Sequence, residues 1–335
     1  MLAALPPRHA KAESLVSKRE QLHSGAGWAR AKSILRLAVT TLSPGNARLD
    51  LGRVTRLGQG LSRDVFGAAV EVSPDPSGLS GAYVVLLPTR DAAPDLDTRA
   101  QREIRLLQRL SKYDLPFCIP RVLGAWPESG HLVVVRSFLQ GVELDLRAGR
   151  QGRVEPWEVI AQIASAIHRL DAAAFADLLP GYASRQAHGE ASLQVFEGLD
   201  APEARDALAW AQAHLPPEEP AVLLHGDLLG QNILLYPGQP LGLIDWEYAQ
   251  RGDPAYDLAI VTRGARRPFQ IDGGLTRLLD AYSRFGGVPI DPPQVHFHEL
   301  CLVATWYRES LHSYGGQPPD EALSRLRSLL RRLGV

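Results

Sequence analysis

Apolar residues recur along this chain with two different periods, and the change between them divides it. From Gly27 to Leu42, Trp28, Ala31, Ile34, Leu35 and Ala38 fall at helical spacing, which predicts an amphipathic helix closed by Ser43-Pro44-Gly45. From Arg53 the pattern turns to strands. RVTRLGQGLSRDVFGAAVEV reads as a hairpin whose connection holds Gly58, Gly60 and Ser62, with Gly67 on the return strand. A second turn, PDPSGLSG, leads into the apolar run AYVVLLP, closed by Pro88. Asp97 to Leu110 then carries Ile104, Leu107 and Leu110 as an apolar stripe, with Glu103 beside it, and predicts a helix. Another strand, HLVVVRSF, runs into Leu139-Gln140-Gly141, where the glycine and the charged stretch after it mark a boundary.

Beyond the boundary helical spacing dominates. Trp157, Ile160, Ile163, Ile167 and Leu170 line one face of a helix that starts near Pro156. Residues 190–214 hold further helix, ended by Pro216, Pro217 and Pro220, and segments 274–285, 293–312 and 319–333 also read as helices. Set among them are two short apolar runs, Ala221 to Leu224 and Leu241 to Ile244. The first ends in His225, Asp227 and Asn232, and the second in Asp245 and Glu247. Two buried strands delivering carboxylates and an amide form a rigid platform for a metal or a substrate. The element order predicts an α+β fold of two lobes. Residues 1–46 are a helical extension, 47–140 a small antiparallel-sheet lobe, and 141–335 a larger, mostly helical lobe. The extension either covers the next lobe or forms a contact between copies, so monomer and homodimer both stand.

Composition narrows the class. No run approaches the roughly 18 apolar residues of a membrane span. The N-terminus, MLAALPPRHAKAES, has no apolar core behind a basic start, which argues against a secretory signal. Cys118 and Cys301 lie far apart and give neither a disulfide framework nor a zinc spacing, so a reducing cytoplasm is expected. Charge is uneven: residues 1–140 carry 19 basic and 12 acidic side chains, net +7, and residues 141–335 carry 17 and 25, net −8. A basic front half suits polyphosphate, and an acidic back half suits a metal ion or a cationic substrate. No clustered aromatic-basic pattern for nucleic acid appears, and there is no GxSxG elbow.

Phosphoryl transfer needs a cradle for phosphates, a divalent metal to bridge them and a carboxylate to orient the attacking hydroxyl. Asp227 and Asn232, five residues apart after a strand, can point a carboxylate at a hydroxyl while the amide oxygen turns to a metal. Asp245, at the end of the next strand, is the principal candidate metal ligand, and so sparse an oxygen set suffices for magnesium. Glycines at 58 and 60 let backbone N–H groups approach a phosphate, and Ser62 adds a hydroxyl. His296 and His298 are two apart, the wrong spacing for two ligands on one helix face.

HGDLLGQN followed by LIDWEYAQRGDPAYDLA resembles the paired motifs of the aminoglycoside phosphotransferase and choline kinase family. The similarity runs from about Arg53 to the C-terminus. It includes the glycine hairpin, the REIRLLQRL helix with Glu103, the IHRL end of the helix after Pro156, and LLDAYSRFGG. The resemblance implies a protein-kinase-like fold and an ATP- (alternatively GTP-) and Mg2+-dependent small-molecule kinase. It puts Asp227 at the catalytic base, Asn232 and Asp245 on the metal, and His225 in support of the catalytic loop. Asp253 and Asp257 fall in a structural segment, with Asp257 expected to cap the helix that follows. The acceptor is a small-molecule hydroxyl, and the acidic back half favours a cationic one: an aminoglycoside, another amine-bearing antibiotic or an amino alcohol.

The sequence departs from the family pattern at one position. The third strand of such proteins carries a Lys or Arg for the phosphates, and aligning on Pro88 places Leu86 there. Arg90 lies about 13 Å further along an extended strand and beyond a proline. Arg63 in the glycine hairpin, or Arg56 on its first strand, is better placed, and arginine chelates phosphate well. Glu103 either pairs with such an arginine or is a surface helix residue. The departure also sustains a rival reading: a catalytically weakened, kinase-like nucleotide-binding or regulatory protein.

Overall fold

A computed structural model describes residues 19–59, 63–89, 95–128, 130–147, 154–313 and 320–335. They fall into two compact units, one drawn from Met1–Ala100 and Pro120–Phe138, the other from Gln101–Ile119 and Leu139–Val335.

The first unit is an antiparallel sheet under one helix. Its strands are β1 (Arg48–Leu51), β2 (Thr55–Gln59), β3 (Arg63–Ser73) and β4 (Gly81–Pro88). After α2 (Leu96–Leu110) and β5 (Phe117–Cys118), two more follow, β6 (Val122–Glu128) and β7 (His131–Ser137). Strand order is β1-β3-β4-β7-β6, with β2 paired to β3 as the expected hairpin, bulged between Arg56 and Gly58. Alternation sends Phe66, Ala68, Val70, Tyr83, Val85, Leu87, Val133 and Val135 to one face. That face is covered by Ala31, Ile34, Leu35, Ala38 and Val39 of helix α1 (Arg19–Leu42), so the helix packs on this sheet.

Helix α1 begins earlier than the apolar stripe suggests. Gly27, expected as its start, lies inside it, where a Cβ would come within 2.9 Å of the Phe66 ring. The missing side chain permits close approach to the sheet rather than breaking the helix. Trp28, one turn before Ala31, falls on the rim of the stripe and is 42% exposed. Strands β1 and β6 were not evident from the sequence: β1 is four residues long, and β6 carries Gly124 and Pro127, which blur its alternation.

The second unit is built on helices: α3 (Pro156–His168), α4 (Arg185–Ser192), α5 (Pro202–Ala213), α6 (Ala255–Thr262), α7 (Gly274–Arg284), α8 (Pro292–Ser313) and α9 (Asp320–Leu333). Helix α3 buries Trp157, Ile160, Ile163 and Ile167 as its period demands. Two small sheets sit among the helices. One runs β5-β11-β10-β8, with β8 at Val142–Glu143, β10 at Ile233–Leu235 and β11 at Leu241–Leu243. The other pairs β9 (Val222–Leu224) with β12 (Gln250–Gly252). Helix α2 enters this unit at Gln101 and buries Leu106, Leu107 and Leu110, with Ile104 only half-buried. The burial stripe is thus shifted by Leu106 from the expected one.

Candidate active site

Short strands deliver each polar group of the site. β10 and β11 are antiparallel, with Ile233 opposite Leu243, and the pairing continues through Ile244 N–H to Asn232 O at 3.0 Å. Asn232 therefore sits at the start of one strand, across from the residue just before Asp245 at the end of the other. β9 ends at Leu224 and releases His225-Gly226-Asp227 as a tight loop. Gly226 has φ +80, and a Cβ there would lie 2.0 Å from the Tyr248 carbonyl oxygen, so only glycine fits.

The loop is held from below by Asp257, whose side chain is fully buried on α6. Its Oδ2 accepts from His225 N–H at 2.8 Å and its Oδ1 from Gly226 N–H at 2.9 Å. Its Oδ2 also meets His168 Nε2 at 3.2 Å, and His168 Nδ1 meets the Tyr282 hydroxyl at 2.8 Å. Burial alone would raise the Asp257 pKa, but His168 and these backbone donors outweigh it and hold the carboxyl below its ordinary range. Asp257 was expected to cap α6 and does not. Asp253, just before the N-cap residue Pro254, accepts from Ala255 N–H with its Oδ1 at 3.2 Å. Asp253 also accepts from Arg185 Nε at 2.9 Å and pairs with His298 Nε2 at 2.9 Å. Two buried side chains, Arg185 and Tyr282, thus brace the site, and neither stood out in the sequence. Of the two, only Tyr282 falls in a stretch that carried the resemblance, LLDAYSRFGG.

His225 is buried and neutral, since burial drives its pKa down. Its tautomer follows from its neighbours: Asp227 N–H points at Nδ1 (3.3 Å), so the proton lies on Nε2, which donates to Ile244 O at 3.1 Å. The ring ties the Asp227 loop to the strand that carries Asp245, and it packs 4.7 Å from Trp246.

Asn232 is 3% exposed, and its Nδ2 donates twice to Asp227, to the backbone oxygen at 2.8 Å and to Oδ2 at 3.0 Å. The amide orientation is thereby fixed, with Oδ1 turned away from Asp227. Asp227 Oδ1 accepts no hydrogen bond from a described residue. Asp245 has φ +68, a left-handed conformation that Asp tolerates better than bulkier residues and that is frequent at functional sites. The next residue, Trp246, donates its N–H to Glu103 Oε1 on α2 at 3.4 Å. Glu103 thus reaches the backbone beside Asp245, a contact that neither alternative from sequence named. An amide oxygen and a carboxylate at adjoining strand ends are the hard, sparse donor set that Mg2+ accepts alongside phosphate and water. Among the described residues no group of three His, Cys, Asp or Glu is arranged to hold a metal ion by itself.

Arg263 closes α6 in a left-handed conformation (φ 47, ψ 37), and its Nε donates to Ile260 O at 3.2 Å. Arg263 is exposed as a residue, yet nearby protein shields its guanidinium enough to lower its pKa. Asp227 pulls in the opposite direction, and Arg325 adds to the lowering. The charge that ends α6 is therefore felt together with that of Asp227.

In the first unit, Gly58 lies at the β2 bulge with open space where a Cβ would be. Gly60, Ser62 and Arg90 lie outside the described residues. Arg63 Nη1 donates to Leu132 O at 3.0 Å and Leu86 O at 3.4 Å, and Arg56 pairs with Asp64 at 2.5 Å. Leu86 is 6% exposed on the sheet face opposite α1.

A β-sheet unit, a helical unit and a short-strand platform presenting Asp227, Asn232 and Asp245 define a phosphotransferase of the protein-kinase-like fold. The model of the phosphotransferase enzyme family (APH) matches residues 68–298, and the chain belongs to that family. Solved structures of similar fold include a macrolide 2′-phosphotransferase from Brachybacterium faecium (TM-score 0.60, 22% identity, 89% of this chain and 97% of that one). Another is APH(2″)-IIia in complex with GDP and kanamycin (TM-score 0.62, 16% identity, 89% and 98%). A third is a thermostable mutant of aminoglycoside phosphotransferase APH(4)-Ia with ADP and hygromycin B (TM-score 0.59, 18% identity, 84% and 94%). Among curated proteins, acyl-CoA dehydrogenase family member 11 of Gallus gallus is 27% identical over 138 residues. That match covers 35% of this chain and 18% of the relative. No described helix is long and apolar enough to cross a membrane.

Proposed function

We propose that this chain is an ATP- or GTP-dependent small-molecule kinase that requires Mg2+ and moves the γ-phosphate to a substrate hydroxyl. The observation that carries this reading is the Asn232–Asp227 pair: one amide fixes Oδ2 of a carboxylate whose Oδ1 is left to accept from a hydroxyl. Asp227 orients the acceptor oxygen and takes its proton as the new P–O bond forms and the bond to the leaving nucleoside diphosphate breaks. When bound, the magnesium ion neutralises phosphate charge, and Asn232 Oδ1 and the Asp245 carboxylate are the groups that hold it. His225, Asp257 and His168 keep the loop rigid, and Glu103 fixes the backbone beside Asp245. Gly58, with open space where a Cβ would be, leaves room for a phosphate to approach the backbone of its strand. The free thiols Cys118 and Cys301 support a reducing, cytoplasmic location.

The excess of acids beyond residue 140 supports an amine-bearing acceptor, as do the kanamycin and hygromycin B seen with two fold relatives. The test is nucleoside diphosphate release across hydroxyl acceptors of both charges, wild type against Asp227→Ala. Turnover with one class and none in the variant is expected, and equal rates in the two proteins would remove Asp227 as the base. The weakened-kinase reading rests on Leu86. It predicts nucleotide binding with no transfer to any acceptor.

A further inference from the structure

Helix α6 lies against the loop that carries Asp227, since its Asp257 accepts the N–H groups of His225 and Gly226. Tyr256, in the same first turn, and Arg263, seven residues on, share one side of that helix. Arg263 folds back along it, its Nε donating to Ile260 O at 3.2 Å. The charge of Asp227 reaches both residues.

Neighbouring rings fix the orientation of Tyr256. Its ring lies 5.1 Å from that of His188 and edge-on to His298 at 5.6 Å, and His188 also stacks on Tyr182 at 4.8 Å. Tyr182 is pinned in turn. Its N–H donates to Arg251 O at 3.1 Å, and a Cβ at Gly181 would lie 2.5 Å from the same oxygen. Tyr256 is half-buried, yet its hydroxyl bonds to no described residue and is not among the polar atoms sealed in the core. Burial first, then the charges of Asp257 and Asp227, push its pKa up to about 12. At neutral pH the phenol therefore keeps its proton and can both donate and accept. A phenol with protein packed round its ring ordinarily finds a partner for its tip.

We propose that the Tyr256 hydroxyl selects the acceptor by hydrogen-bonding a second polar group, a hydroxyl or an amine, on the molecule whose hydroxyl Asp227 orients. The proposal rests on the kinase reading above. It makes the acceptor at least bifunctional, with one group for the base and one for the phenol. Because the surrounding rings hold the phenol in place, little side-chain freedom is lost when the acceptor binds.

The test is steady-state kinetics of Tyr256→Phe, which keeps the ring against His188 and His298. An aminoglycoside, ethanolamine, glucosamine and homoserine serve as acceptors. For whichever the wild type phosphorylates, the acceptor KM is expected to rise about 3- to 10-fold, the loss of one hydrogen bond, with kcat and nucleotide KM within about twofold. The thermal midpoint should stay at the wild-type value. An unchanged acceptor KM would leave the phenol to solvent and overturn the proposal. So would parallel losses for acceptor and nucleotide with a lowered midpoint, which mark a structural residue. A fall in kcat at constant acceptor KM would tie Tyr256 to the transition state instead of to acceptor choice, and also overturns it. A wild type that releases no nucleoside diphosphate with any acceptor of either charge would instead remove the kinase reading itself.

Discussion

Asp257 shows how much of this site depends on residues that touch no substrate. A carboxylate accepting two loop N–H groups and a histidine cannot be replaced by an amide, which would present a donor to a donor. Asp257→Asn is expected to cost about 3–5 kcal/mol of stability and most of the activity. Urea denaturation decides this, and a midpoint at the wild-type value would show that the loop holds itself. Asn232 allows a second residue-scale prediction. Asn232→Asp sets a carboxylate about where Nδ2 now donates to Asp227 Oδ2, so the two must share a proton at neutral pH. Activity of this variant should need a higher pH than the wild type, read from the acid limb of the pH–rate profile. An unshifted limb would mean the two side chains move apart. Asp227, Asn232 and Asp245 were legible because their roles depend on short local spacing after apolar runs. The target of Asp257 was not, because it lies 31 and 32 residues upstream on the backbone, and helix periodicity suggested a cap instead.

Elements were read well where their period was long and clean, as in α3, and poorly where they were short, as in β1 and β6. What an element packs against was harder to see. The α1 stripe announced an apolar face, but an amphipathic helix carries no mark of its partner, whether a sheet or a second copy. Ala31, Ile34, Leu35, Ala38 and Val39 join one core with the β3, β4 and β7 face, so the segment outside the expected sheet lobe is part of that unit's core. Leu35 is 1% exposed there, and Leu35→Ala should cost about 2–5 kcal/mol, the range for buried leucine truncations. Thermal unfolding of the variant measures it. A loss under about 1 kcal/mol would mean that the helix contributes little to the unit.

On the scale of the molecule, net charge hid where the decisive charges are. The chain is nearly neutral and its back half acidic, yet the charges bracing the helical unit are buried, at the junction of α4, β12, α6 and α8. His188 stacks on Tyr182, 4.8 Å between ring centroids, and its Nδ1 accepts from Asp253 N–H at 2.9 Å. Around it stand His298, Asp253, Tyr256 and, further off, Asp257. Burial first, then the charge of His298, lowers the His188 pKa from 6.5 to about 3, against the pull of the two aspartates. In the unfolded chain the same imidazole takes up its proton near pH 6.5. Stability from keeping His188 neutral is therefore fully present above pH 6.5 and is lost as the pH falls from there towards 3. The slope is at most about 1.4 kcal/mol per pH unit, and roughly 5 kcal/mol in all. His225, also held neutral by burial, steepens the same fall. Asp253 and Asp257 act lower: their folded pKa values are depressed, so their contribution holds above the ordinary carboxylate range and disappears only as the pH drops through it. Unfolding free energy measured in urea at pH 8, 6.5, 5.5 and 4.5 should thus decline well before any carboxylate titrates. His188→Gln, which keeps an acceptor for Asp253 N–H, should be less stable at pH 8 but flatter between pH 6.5 and 4.5. A wild-type curve that is level across that window would mean that these histidines take up protons in the folded protein as readily as in the unfolded one.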